Sequence, residues 1–326
     1  MLNIKYRVLG AIIMNLLDRY KGALMGLAVG DALGCTLEFR PPGSFVLLTD
    51  MVGGGPDNLP PGAWTDDTSA CLLLSESLIQ NDGFDLQDQL NRYLAWYRKG
   101  YLSSTGYCFG IGKTTQESIE RFEKYQTLIA SDNTSKSGNG SIMRLAAVPL
   151  FYARSPRIAL LKSAESSLTT HGSKECVDSC HYFGALIVSA IQGKSKDDIL
   201  SPNNEIIYSI KSLSDFHPSV IPVINGSYKL KSPPDIKGTG YVIQSLEAAL
   251  WAFYNSKNFE EGVLKAANLG DDADTTGAVF GQLAGAYYGY QAIPKKWCDK
   301  IVFKEKILKY AERLHEKAWN QPNIHD

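Results

Sequence analysis

Apolar residues recur every three or four positions along most of the chain, the period of helices that bury one face. In the first half this pattern predicts helices over 16–34, 67–81, 85–98, 113–124 and 141–154. In the second half it predicts 157–168, 173–193, 242–255, 259–268 and 303–319, with an uncharged, proline-free helix over 277–290. Residues 40–62 read as a Pro/Gly-rich loop. Residues 194–240, rich in Ser, Pro, Asn and Lys, read as an irregular insertion with a short helix at 204–213. No strand series alternates with the helices, which disfavours Rossmann and TIM architectures, so the expected fold is all-α.

Two of these helices carry glycine at every fourth position, Gly22, Gly26, Gly30 and Gly34 near one end of the chain and Gly277, Gly281, Gly285 and Gly289 near the other. Each interior glycine costs a helix about 1 kcal/mol relative to alanine. A row without side chains offsets that cost if another backbone approaches it closely. The two rows are therefore expected to pack together at the centre, at the common ~50° crossing.

The chain has 326 residues, and Lys+Arg 33 against Asp+Glu 34 leaves a formal net charge of −1. That balance gives no general basic footprint for nucleic acid and no polybasic patch for a membrane. Six scattered cysteines, at 35, 71, 108, 176, 180 and 298, sit mostly in apolar runs, the usage of a reducing, cytoplasmic compartment. Cys176 and Cys180 lie near His171 and His181, but without a CxxC or a second ligand pair a buried helix face is the better reading than zinc. The apolar stretch Val8–Met14 is too short to span a bilayer and lacks a small-residue cleavage site. Residues 1–15 are set apart as an N-terminal extension or misassigned start before a single domain, 16–326.

The chemistry gathers at helix starts. Asp271, Asp272, Asp274, Thr275 and Thr276 precede the uncharged helix, and Thr65, Asp66, Asp67 and Thr68 open another after a Pro60-Pro61-Gly62 turn. Capping needs one side chain, whereas several clustered carboxylates repel one another unless a cation neutralises them. Asp272 and Asp274 are two apart, about 200° around a regular helix, so they converge only from a turn. If the two motifs meet, their all-oxygen ligands suit Mg²⁺, Mn²⁺ or Ca²⁺, and the number of carboxylates suggests two ions. Glu38 sits on a loop able to reach this cleft. Two glycine-rich stretches, Gly106–Thr115 and Ser137–Arg144, also open helices, where backbone N–H groups receive phosphate oxygens, and together they suit a diphosphate.

In this order the stretch Gly22–Gly34 with Glu38, Trp64-Thr-Asp-Asp-Thr68, Gly138-Asn-Gly-Ser-Ile-Met-Arg144, Thr170-His171 and Gly270-Asp-Asp-Ala-Asp-Thr-Thr276 resemble the ADP-ribosylglycohydrolase family over about residues 16–300. Gly240-Tyr241 makes the chain look more like the bacterial dinitrogenase-reductase-activating branch. The resemblance implies a compact orthogonal multi-helix bundle with a central dinuclear metal cleft, two Mg²⁺ (or Mn²⁺) ions and hydrolytic release of ADP-ribose. It implies metal ligation by Glu38, Thr65, Asp66, Asp67, Asp272, Asp274 and Thr275, with catalysis by Glu38, Asp66, Asp67 and Asp272. Gly110, Gly112, Asn139, Gly140, Ser141, Met143, His171 and Tyr241 would bind substrate, while Asp271 is read as neutral or supporting. The expected partner is an ADP-ribosylated protein, with arginine the favoured linkage, acted on by a monomer. Two alternatives stand beside it: an immunity protein that protects against an ADP-ribosylating toxin by occupation, and a hydrolase of a small ADP-ribosyl metabolite.

Overall fold

The computed structural model describes residues 2–133 and 137–320, with side chains described for 16–133 and 137–319. The first half supplies α1 (Leu2–Gly34), α2 (Asp66–Asn81), α3 (Leu86–Lys99), α4 (Lys113–Tyr125), α5 (Ala147–Phe151), α6 (Pro156–Ser167) and α7 (Lys174–Ile191). The second supplies α8 (Lys196–Ile199), α9 (Ile221–Ile224), α10 (Val242–Tyr254), α11 (Phe259–Ala267), α12 (Ala273–Tyr288), α13 (Lys295–Cys298) and α14 (Lys304–Asn320). Among the described residues the only β pairing is two isolated bridges, Gly54 with Leu59 and Gly138 with Tyr241, so the all-α expectation holds. No described helix is long and apolar enough to cross a membrane. The helix expected from residue 16 continues back to Leu2, through residues set apart as an extension.

The glycine rows meet as expected. A Cβ on Gly26 would lie 2.3 Å from the Gly281 carbonyl oxygen, and one on Gly281 would lie 2.0 Å from that of Gly26. Gly22 faces Gly285, Gly30 faces Gly277 and Gly34 faces Ala273, so numbers rise in α1 as they fall in α12 and the two run antiparallel. The expected ~50° crossing does not hold. Backbone contact persists from Gly22 to Gly34, about 18 Å of helix, and axes inclined at 50° would have diverged by several ångströms at both ends of that length. With no side chains between them, nothing forces the axes apart or tilts them.

Around this pair one contiguous core draws on helices from both halves of the chain, from Ala23 and Leu27 of α1 to Leu314 of α14. Two helix expectations are corrected. Only Ala147–Phe151 of the stretch 141–154 is α-helical, because Gln282 of α12 intrudes on the turns before it. Its buried amide donates to the Ile142 and Met143 carbonyls (3.1 and 2.7 Å) and accepts from Ala146 N–H (2.7 Å), taking groups that a helix would use. Residues 204–213 form turns instead of a helix. There the Ile207 carbonyl bonds His181 Nε2 (3.0 Å) and Asn204 ties itself to Ser189 and Ile199, so the segment is pinned to α7 by individual bonds.

Candidate metal and substrate cleft

Three helix ends converge beside the glycine seam: the C-terminal end of α1, and the N-termini of α2 and α12. Asp31 is the single charged residue between Lys21 and Glu38, and it is fully buried on α1. Thr65 is the N-cap of α2, but its own side chain does not cap the helix. Asp31 does so from the neighbouring helix. One of its oxygens accepts from Thr65 N–H and Oγ1 (both 2.9 Å), the other from Thr68 N–H (3.0 Å) and Oγ1 (2.6 Å).

At the start of α12, Asp271 adopts φ +56°, and this left-handed residue gives the chain the turn that brings Asp272 and Asp274 together. The turn is held on both sides. Phe39 N–H donates to Asp271 O (2.7 Å), Asp271 N–H to Arg40 O (2.8 Å) and Asp272 N–H to Gly238 O (2.8 Å), which locks the Glu38 loop to the Asp272 turn. Thr65 Oγ1 then lies 3.1 Å from Asp67 Oδ2 and 3.3 Å from Asp274 Oδ2, while Thr275 Oγ1 is 3.5 Å from Asp67 Oδ2. Asn139 Nδ2 donates to Asp272 Oδ2 at 2.6 Å.

Six carboxylates thus share one site, with no described ion pair to a basic side chain. Burial first, and then repulsion from Asp272, Asp31 and Asp57, pushes Glu38 up to about 8. Burial likewise raises Asp31 to about 6, although four donors counter it. Asp66, Asp67 and Asp274 are driven well above the usual carboxylate range, by burial first and then by repulsion from neighbouring carboxylates, Asp31 and Asp272 among them in each case. The buried Asp67 Oδ1 and Asp274 Oδ1 have no hydrogen-bond partner among the described residues. Orphaned carboxylate oxygens in an acidic, all-oxygen site are what a hard divalent cation requires, so the residues fit the expected metal. Asp31, Asp67 and Asp274 place carboxylate oxygens within 4.8 Å of one another. Asp31 is the supporting member, since both its oxygens are already engaged by two donors each. Cys176 and Cys180 are buried free thiols on α7, and Cys176 Sγ donates to Gly138 O, so the helix-face reading stands over zinc.

Above the carboxylates opens a cleft of about 310 Å³. It is lined by the expected Glu38, Asp66, Gly110, Gly112, Asn139, Gly140, Met143, His171, Asp272, Asp274 and Thr275. Gly110 must be bare, because at φ +71° a Cβ there would press on Asp66 Oδ1 at 3.0 Å. Gly112 is the N-cap of α4 and provides no side-chain cap, so the first-turn N–H groups of Lys113, Thr114 and Thr115 open towards the cleft without described partners. Opposite, Asn139 N–H bonds Gly240 O (3.0 Å) and His171 Nδ1 lies 2.7 Å from Thr170 Oγ1. Burial and then the Arg144 charge lower the His171 ring to about 3, so it is neutral.

Thr65 and Asp67 lie beneath the lining, and Ser141 is buried behind its loop. Tyr241 is placed off the cleft: its hydroxyl donates to Glu175 Oε1 at 2.5 Å, and its backbone pairs with Gly138. The sequence reading missed Asp31, whose signal was a lone charge in a glycine-row helix, and the cleft positions Phe39 and Gly240.

The ADP-ribosylglycohydrolase family model matches residues 13–323. The chain is 42% identical over 303 residues to the ADP-ribosylarginine hydrolase Tri1 of Serratia proteamaculans (strain 568), covering 93% of this chain and 80% of that one. It is 29% identical to the ADP-ribosyl-[dinitrogen reductase] glycohydrolase of Rhodospirillum rubrum, over 88% of this chain and 91% of that one. A solved structure titled ADP-ribosylglycohydrolase-related protein complex superposes with a TM-score of 0.83 at 40% identity, covering 94% of this chain and 99% of that one. With the family model matching residues 13–323 and a relative 42% identical over 93% of it, the chain belongs to the ADP-ribosylglycohydrolase family.

Proposed function

We propose that this cleft hydrolyses the N-glycosidic bond between ADP-ribose and an arginine side chain of a modified protein, reversing mono-ADP-ribosylation with the help of two Mg²⁺ or Mn²⁺ ions. The observation that carries the reading is the pair of orphaned oxygens, Asp67 Oδ1 and Asp274 Oδ1, among six carboxylates under a cleft lined by glycines and the first turn of a helix. The arginine linkage draws its support from the Serratia relative's name. Thr65, Asp66, Asp67, Asp272, Asp274, Thr275 and Glu38 would hold the ions, which when bound supply charge for the ribose hydroxyls and acidify a water.

The chain's own residues do the rest. The first turn of α4 lines the cleft where its N–H groups can take the diphosphate, the 138–140 loop forms the wall beside it, and the aspartates lie where a ribose end would reach. Breaking the bond to C1″ develops oxocarbenium character, which the surrounding negative field stabilises. Glu38, held up to about 8 and lining the cleft, can take a proton from water or return one to the departing guanidine.

The test is release of ADP-ribose from arginine-, serine- and cysteine-linked proteins with and without each metal. Metal-dependent release from arginine, reduced about 100-fold or more in Asp272→Ala, is expected. No release from any linkage by the metal-loaded protein would sink the reading.

A further inference from the structure

Arg144 is a fully buried guanidinium with no carboxylate partner among the described residues. It lies over the Tyr93 ring at 4.6 Å and donates through Nη2 to Thr169 Oγ1 (3.0 Å) and Thr170 Oγ1 (2.8 Å). A guanidinium only donates, so the Thr170 oxygen is the acceptor in that bond and its own hydrogen must go elsewhere. The described acceptor in reach is His171 Nδ1, at 2.7 Å. If Nδ1 accepts, the ring's hydrogen is on Nε2, which lies against Gly138 and Gly140 at the cleft wall: a Cβ added there would come within 3.4 and 3.1 Å of it. No described residue accepts from that N–H. The backbone under the ring is clamped as well, by His171 N–H to Ser167 O (2.7 Å), Ser167 Oγ to His171 O (2.6 Å) and Ser118 Oγ to Thr170 O (3.0 Å).

We infer that Arg144 is a positioning residue: acting through the Thr170 hydroxyl, it fixes His171 as the Nε2–H tautomer and so presents a permanent hydrogen-bond donor to an oxygen of the bound ligand. His171 then recognises substrate and does not shuttle protons. The bareness of Gly138 and Gly140 keeps the donor uncovered. The ligand half of this inference rests on the reading that the cleft takes ADP-ribose.

Two measurements on the full-length protein test it. Nitrogen-15 NMR of the histidine ring without ligand is expected to show His171 protonated at Nε2 and bare at Nδ1. Thr170→Val, which keeps the shape and deletes the relay, should lose that single-tautomer signature and bind ADP-ribose about tenfold more weakly, the scale of one well-formed hydrogen bond, and Thr170→Ser should restore both. A hydrogen on Nδ1 in the unsubstituted protein overturns the relay, and that reading stands even if Thr170→Val fails to fold. An unchanged ADP-ribose affinity in a folded Thr170→Val also overturns it. Failure of the unsubstituted protein to bind ADP-ribose sinks the ligand assignment of the cleft instead, while the ligand-free spectrum still decides the tautomer.

Discussion

Each oxygen of the Asp31 carboxylate accepts two hydrogen bonds, so deleting the group strands two backbone N–H groups and the Thr68 hydroxyl inside the protein, while the Thr65 hydroxyl keeps Asp67 and Asp274 as acceptors. Losing a cap alone costs a helix about 1 kcal/mol, and each buried unsatisfied donor adds about 1–3. Asp31→Ala should therefore lower unfolding free energy by about 3 kcal/mol or more in denaturant titrations, even with one less repelling charge as a partial offset. The carboxylate cluster was legible because carboxylates and threonines lie within a few residues of each other in each motif. Asp31 was not, since its partners are 34 and 37 residues away. A second expectation concerns acid. Burial holds His181 down to about 4, and its Nε2 bonds a carbonyl. A histidine whose folded value lies below its unfolded value near 6.5 takes up a proton on unfolding, so the stability it contributes is present above about pH 6.5 and is lost as pH falls towards 4. His181→Gln should reduce proton uptake on unfolding near pH 5 by about one, measured by calorimetry in buffers of different ionisation enthalpy.

Helix existence followed from periodicity because most of these helices bury one stripe against a common core, and the starts of α2, α4 and α7 fell within a residue or two of expectation. Periodicity failed where a side chain from far along the chain supplied the backbone's partners, as Gln282 does at 142–146 and His181 does at Ile207. It also had no access to crossing angle, which depends on both surfaces in contact. The glycine seam gives a paired test. Gly281→Ala would put a methyl 2.0 Å from a backbone oxygen of α1, so the two helices must move apart across the seam. The expected cost is about 3 kcal/mol or more, read as a large drop in melting temperature or loss of soluble protein. Gly112→Ala meets nothing within 4 Å and needs no positive φ, so its melting temperature should stay within a few degrees of the parent.

For the molecule as a whole, the carboxylate cluster makes stability depend on cation and pH together. Glu38 is raised to about 8 and Asp31 to about 6. A carboxyl with a raised folded value contributes stability that is full below its unfolded value near 4 and is lost as pH rises through the folded one. Metal-free protein should weaken between pH 6 and 8, and Mn²⁺ should reverse this. At 100 times its dissociation constant one bound ion adds about 2.7 kcal/mol, so the melting-temperature gap between loaded and chelated protein should widen with pH. Asp274→Asn should narrow that gap and make the chelated protein more stable than the parent. The family and its chemistry were legible because six acidic and hydroxyl positions keep motif spacing. The placement of Tyr241 was not, because Glu175, 66 residues away, holds its hydroxyl. The antiparallel seam also sets an order of events. Residues 22–34 have their partner at 273–288, so a chain emerging from synthesis carries a bare glycine groove and half of a cation site through most of its length. Separately made fragments divided within 194–240 should each be silent towards metal and gain it only on mixing, as α12 docks and closes the seam and the site in one step.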